Sequence, residues 1–265
     1  MPELPEVEHF KDYFIHTSLH KKIDHIISKN AKLLKGGSLK EINEIVSGKK
    51  FKSAERRGKF LIADLSDSDY KVVFHFGLTG FFHYKKALDK KGEAYAKVIF
   101  VFSNGDELQW INKRNFGRVY IVLDPMNIKT IKMMGPEALA LSEKDFGTLL
   151  NEKPQSNIKT FLMDQQNLAG IGNDYSNEIL FEARINPKSK ISELTATQKN
   201  LLYTKMKEIL KKAITLKIVE RKESYPKTWL LGHKRDLICP EDKTHHLKKI
   251  KIGGRTAIYC PEHQK

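Results

Sequence analysis

The chain has 265 residues, room for one large or two small domains, each with its own core. Lys and Arg number 47 against 32 Asp and Glu, a formal charge of +15, so a polyanionic partner is favoured, nucleic acid ahead of an anionic membrane surface. No stretch approaches the roughly 20 apolar residues of a membrane span, the N-terminus has no signal-type run, and two cysteines are too few for a disulfide framework.

The chain begins Met1-Pro2-Glu3-Leu4-Pro5-Glu6. With Met1 removed, Pro2 is a secondary α-amine, a group that titrates near ~7.7–8.0 and is partly uncharged at neutral pH. Its attack on a sugar aldehyde carbon gives an iminium, cationic without protonation and able to drive elimination of a neighbouring phosphate. Glu3 beside it is the candidate for moving protons. The alternative is that Pro and Glu only start a helix, where both are favoured. Residues 5–17 follow with Val7, Phe10, Tyr13 and Phe14 on one face, predicting an amphipathic helix that anchors the terminus.

From Lys22 to about Leu123 the pattern is of short strands: 51–54, 60–63, 72–76, 98–102 and 119–122, with a hairpin turn at Ser103-Asn104-Gly105-Asp106. Strands at this spacing predict a β-sandwich or barrel. Lys59, after Arg56, Arg57 and Gly58, falls at a turn between two of them. Lys49, Lys50 and Lys52 with Arg56 and Arg57 form a basic run, either a solvated strand face or a phosphate track.

Residues 125–135 read as a linker, and the period then becomes helical. Ser142 is placed to cap a helix running to Leu150. A short helix over 158–164, a turn-rich connector and a helix over 173–183 put the Gly172 amide and the Asn173 side chain at a helix N-terminus, an anion-binding position. Glu178 on that helix is either structural or orients the terminal amine. Residues 197–218 form a longer helix with Leu202, Met206, Ile209, Ala213 and Leu216 on one face and lysines between. Near the C-terminus, Ile252-Gly253-Gly254-Arg255-Thr256 has the glycines of a hairpin turn that thrusts Arg255 outward, where it is expected to bind a phosphate.

Met-Pro-Glu-Leu-Pro-Glu-Val-Glu at the start, Gly-Lys-Phe at 58–60, Met-Gly-Pro-Glu-Ala-Leu at 134–139, Gly-Ile-Gly-Asn-Asp-Tyr at 170–175 and the late Gly-Gly-Arg together resemble the formamidopyrimidine-DNA glycosylase / endonuclease VIII family, along nearly the whole chain. The resemblance implies an α+β fold: an N-terminal β-sandwich domain with an N-terminal helix (1–124), a linker (125–135), a helix-two-turn-helix domain (136–225) and a C-terminal β-hairpin module (226–265), zinc-finger-like or zincless. It implies a base-excision-repair glycosylase that removes oxidised bases from damaged double-stranded DNA and cleaves the abasic site by β,δ-elimination. The expected protein is monomeric, cytoplasmic and nucleoid-associated, not secreted. The alternative is a DNA-damage binding protein of the same fold without catalysis.

Pro2, Glu3 and Lys59 are implied as catalytic. Leu78, in the His75 to Gly80 segment, with Arg114 and Phe116, is implied to fill the gap left by a flipped nucleotide, and Asn173 and Arg255 to grip the backbone. The family's terminal hairpin usually carries two Cys-x2-Cys pairs on zinc. Here only Cys239 and Cys260 remain, with Asp242 and His263 in the partner places and His245 and His246 nearby. Two accounts stand: one structural zinc on Cys239, His245 or His246, Cys260 and His263, with Asp242 a poorer fourth ligand, or a metal-free hairpin packed on Leu247, Ile250, Ile252, Ile258 and Tyr259. The chain is also short between Ile218 and Cys239, where formamidopyrimidine glycosylases carry a longer Gly-rich loop over an extruded 8-oxoguanine. That shortening leaves oxidised pyrimidines and ring-opened purines as candidate substrates.

Overall fold

The computed structural model describes residues 1–89, 94–216 and 225–265. They fall into two compact units, one of Met1–Pro2 with Glu6–Lys132 and one of Glu3–Pro5 with Met133–Lys265. The 217–224 part of the short segment before Cys239, and the last two residues of the helix expected over 197–218, lie outside the described residues. No helix among those described is long and apolar enough to cross a membrane.

The first unit is a β-sandwich closed by the N-terminal helix. In chain order its elements are α1 (Leu4–Ser18), β1 (Ile23–Ser28), β2 (Leu34–Lys35), α2 (Leu39–Val46), β3 (Phe51–Arg57), β4 (Phe60–Leu65), β5 (Lys71–His75), β6 (Gly80–Lys85), β7 (Ala96–Phe102), β8 (Glu107–Asn112), β9 (Arg118–Val122) and α3 (Lys129–Lys132). One sheet runs β1-β7-β8-β6 and the other β2-β9-β5-β4-β3. The core is aromatic because inward positions of both sheets carry phenylalanine. Phe74 of β5 meets Phe82 of β6 at 5.0 Å and Phe100 of β7 at 5.7 Å between ring centroids. Phe14 of α1 enters the same cluster, 4.8 Å from Phe51, and Phe10 lies 4.5 Å from Phe76. Burying each such ring stabilises by roughly 1.5–3 kcal/mol, so α1 is held by its apolar face. Tyr13, assigned to that face, sits instead at its border and turns its hydroxyl to the Tyr84 amide.

The turn at 103–106 joins β7 to β8 as expected, with Gly105 at φ 83°. The stretch read as a linker has structure of its own. Asp124 caps a 3-10 turn at Pro125–Asn127 through the Met126 amide (2.8 Å), and Ile128 and Ile131 are buried.

The second unit contains α4 (Glu143–Glu152), α5 (Ile158–Met163), α6 (Asn173–Glu182), α7 (Ala196–Thr215) and the hairpin β10 (Lys248–Ile252) with β11 (Arg255–Tyr259). Ser142 caps α4 by accepting the Asp145 amide at 3.1 Å, and Thr195 with Gln198 forms a capping box on α7. Leu202, Met206, Ile209 and Ala213 of α7 pack with Phe146, Phe161, Tyr175, Ile179 and Trp229 in one core. Leu216, assigned to the same stripe, lies past the end of α7 and is exposed.

Candidate active site and nucleic-acid interface

Glu3 is 1% exposed. Its carboxylate accepts the amides of Gly172 (2.6 Å), Asp174 (2.9 Å) and Tyr175 (3.3 Å) at the start of α6. Unpaired N–H groups and the helix dipole make this position attractive to an anion. The anion held there is the protein's own carboxylate, so the Gly172 amide, expected to meet a phosphate, is already engaged. Leu4 donates to the Gly170 carbonyl at 2.9 Å. Gly170 has φ 101°, and a Cβ there would lie 2.7 Å from the Leu4 side chain. The residue directly after Pro2 is thus fixed by buried hydrogen bonds.

Beneath the same helix start lies a residue the sequence reading missed. Lys159 of α5 is fully buried, donating to Ser176 Oγ (2.8 Å), Asn177 Oδ1 (2.6 Å) and the Asn173 carbonyl (3.3 Å). Burial pulls its pKa down to about 8, against the charges of Glu3 and Asp174. The only sequence signal was a lysine inside an otherwise apolar short helix. Gln165 braces the connector ahead of α6, giving its amide to the Met163 and Ile171 carbonyls and accepting from Gly170. Asn173 is the first residue of α6, half-buried. Glu178 takes the structural alternative: it accepts the Leu230 and Leu231 amides, and burial pushes its carboxyl up to about 8 despite those bonds.

In the first unit Lys59 lies in the two-residue turn between β3 and β4, where Arg57 pairs with Phe60 and Gly58 takes φ 55°. An ordinary turn lysine is solvated; Lys59 is only 7% exposed. The next strand places His75 opposite Phe60, rings stacked at 4.7 Å, and burial followed by the charges of Lys59 and Arg118 depresses the imidazole to about 4. His75 is therefore neutral at pH 7. Arg56 does not belong to a solvated basic face: its Nε reaches Glu8 at 2.8 Å and its Nη1 the Gly58 carbonyl at 3.0 Å. Burial alone would raise the Glu8 carboxyl; hydrogen bonds from Lys11 and Arg56 outweigh it and hold the pKa below its ordinary value.

Leu78, Arg114 and Phe116 come from two loops packed on each other. A Cβ at Gly77 would lie 2.4 Å from the Gly117 nitrogen, and the Arg114 amide donates to Thr79 Oγ1 at 3.2 Å. Phe116 is 56% exposed with the Arg114 guanidinium 5.2 Å from its ring, which rules out a core role for it. Leu78 is half-buried. In the second unit Arg255 is exposed beside the Gly253–Gly254 turn, whose φ values are 54° and 73°.

Among the described residues no three His, Cys, Asp or Glu side chains are grouped to hold an ion. Asp242, in a ligand place, uses Oδ1 to accept the Thr244 amide and hydroxyl (2.8 and 2.7 Å). His263 stacks on Phe181 at 4.4 Å with Nε2 3.2 Å from the Phe181 carbonyl. His245 is paired loosely with Asp242 at 3.8 Å. Cys239 and Cys260 are buried among apolar side chains, and burial pushes the Cys260 thiol up to about 11.

A helix-capped β-sandwich, and a helical unit that ends in a β-hairpin and seats Glu3 on the start of α6, define an α+β class of protein with two compact units. Residues 1–119 match the formamidopyrimidine-DNA glycosylase N-terminal domain and residues 134–223 the H2TH domain of the same enzymes. The formamidopyrimidine-DNA glycosylase of Arabidopsis thaliana is 34% identical over the whole chain and 71% of its own length; that of Listeria innocua is 30% identical over both complete chains. Among solved structures, Lactococcus lactis Fpg bound to abasic-site DNA is 26% identical with a TM-score of 0.85, covering 99% of both chains. MutM in complex with DNA containing carbocyclic 8-oxo-G is 28% identical with a TM-score of 0.86, covering all of both. The chain belongs to the formamidopyrimidine-DNA glycosylase family.

Proposed function

We propose that the protein is a base-excision-repair DNA glycosylase that removes oxidised bases from damaged double-stranded DNA and then cleaves the abasic site as a lyase. The observation that carries this reading is Glu3: a carboxylate adjacent in sequence to Pro2, held by three backbone amides of α6. Such a fixed acid beside a secondary amine suits covalent sugar chemistry better than simple DNA binding, which needs neither.

In this mechanism the Pro2 nitrogen, freed by removal of Met1, bonds to C1′ of the flipped nucleotide as the bond to the base breaks and the base departs with that electron pair. Glu3 takes the proton from the Pro2 nitrogen and passes it to the sugar ring oxygen O4′, so that the freed nitrogen lone pair forms an iminium with C1′ as the C1′–O4′ bond breaks. Loss of a C2′ proton expels the 3′ phosphate, a second elimination expels the 5′ phosphate, and water releases Pro2. Lys59 assists ring opening and meets a phosphate. Arg114, Phe116 and Leu78 replace the flipped nucleotide in the stack, and Asn173 and Arg255 hold the backbone.

Borohydride tests this directly by reducing the iminium to a stable amine. A covalent protein–DNA adduct is expected on lesion-bearing duplex, with the modification at Pro2 in peptide mapping. Binding without any adduct or strand cleavage would leave only a DNA-binding role.

A further inference from the structure

We propose that the C-terminal hairpin keeps its shape without a metal ion, through a set of side chains that take over the places and the task of the zinc ligands. Three of the predicted ligand places, Asp242, Cys260 and His263, are committed elsewhere. At Asp242 the side chain closes a turn onto Thr244, while the main-chain oxygen accepts the His245 amide at 3.0 Å. The Nε2 of His263 faces a carbonyl, which calls for a proton on that nitrogen, not a lone pair, and its ring packs flat on Phe181 of α6. Sγ of Cys260 points toward Glu262 Oε2 at 3.6 Å, as a thiol donor would.

What ties the module together is Gln264, a residue that the zinc motif does not include. It is 1% exposed. Its Oε1 accepts the Cys260 amide (3.0 Å), its Nε2 donates to the Ile185 carbonyl just past α6 (2.8 Å), and its own amide donates to the Cys260 carbonyl (2.9 Å). Cys239, Cys260, Leu247, Ile258, Phe181 and Leu230 form one apolar cluster, to which Gln264 is tied through the Cys260 backbone. Metal ligation normally fixes such a module because few side chains are available to bury; here burial and one amide clasp do so.

Elemental analysis of the full-length protein, expressed with zinc in the medium and purified without chelators or a metal-binding tag, should find zinc far below one per chain, and EDTA should leave Tm unchanged. Stoichiometric zinc overturns the proposal. Gln264→Ala should lower Tm by roughly 3–8 °C; an unchanged Tm would remove Gln264 as the clasp.

A second inference concerns the first unit and rests on the glycosylase reading. We infer that Arg56 is a positioning residue for the Lys59 turn. It bonds Glu8, one turn into α1, and the carbonyl of Gly58, the residue preceding Lys59. Its side chain is only 10% exposed, so it is not a free phosphate contact, and it links the helix that follows Pro2 to the turn that carries Lys59. Arg56→Lys keeps the charge but not the two-pronged geometry.

Arg56→Lys and Glu8→Gln should each lower kcat for excision about tenfold or more while KM for lesion DNA stays within about twofold, and the double variant should lose little more than either single one. Additive losses, or a fall in Tm with normal kcat per folded molecule, would overturn the assignment. An unmodified protein that forms no borohydride adduct would instead overturn the glycosylase reading, whatever Arg56 does.

Discussion

Two hairpin turns present a cation in this protein, and they do so in opposite ways. Gly58–Lys59 and Gly253–Gly254 both use positive-φ glycine to reverse the chain. At the first, Lys59 is nearly buried and the turn is braced by Arg56; at the second, Arg255 stands exposed beside the turn. A buried ammonium loses water and conformational freedom before any ligand arrives, which suits a group that must act at a fixed atom. An exposed guanidinium on a firm hairpin suits a contact made with a polyanion from solvent. The same turn chemistry therefore serves two ends, and the difference lies in what packs around it.

The largest effects are expected at Glu3 and at Lys59. Glu3→Gln should reduce base excision by roughly 10²–10⁴-fold, read as single-turnover release of base, since an amide neither moves the proton nor suits three N–H donors. A normal rate would remove Glu3 from the chemistry. Lys59→Met should slow strand cleavage by about 10²-fold with DNA affinity little changed, whereas Arg255→Ala should do the reverse. For Arg255→Ala, affinity for duplex should fall about tenfold, and the slope of log K against log salt should shrink by about 0.9, with kcat preserved. If both substitutions act alike on kcat and on Kd, the contrast between the turns is wrong.

Smaller effects test the supports. Gly253→Ala meets both a positive φ and Thr160 Cγ2 at 2.8 Å from the new methyl group, so a loss of about 1–2 kcal/mol is expected in thermal unfolding. The smallest effect is in acid. Asp106, hydrogen-bonded by Tyr84, Ala87, Asn104 and Lys21, has its carboxyl held down to about 2 from 3.8. The unfolded chain then takes up the proton first as pH falls, so this stabilisation is full above the ordinary carboxylate value and fades on the way down to about 2. The Tm difference between the natural protein and Asp106→Asn should narrow across that window and stay constant above it.

Much of the fold is legible locally. The strands 60–63, 72–76, 98–102 and 119–122 are runs of β-branched and aromatic residues, and the helices at 142, 157 and 195 open with capping side chains. The apolar runs of β1, β6 and β8 are diluted by Asp24, His25, His83 and Gln109, although β8 pairs on both sides and β1 and β6 form the two edges of the same sheet. The helix α2 opens with a Ser38–Glu41 capping box, a local signal carried by four residues of sequence. At the terminal hairpin the spacing of donors could not show their other engagements, the Thr244 bonds of Asp242 and the stacking of His263 on Phe181.

By itself the sequence determined what its near neighbours control: a secondary amine next to a carboxylate, the periodicity of α1 and α7, the glycines that turn each hairpin, and the excess of positive charge. Only the tertiary structure decided which anion rests on α6, that Lys59 is buried and Arg255 is not, and that Gln264 clasps the last hairpin. Those outcomes join residues as distant as Glu3 and Gly172. A contact between segments far apart in the chain leaves no local pattern of hydrophobicity or torsion preference, and comes into being only when two surfaces pack.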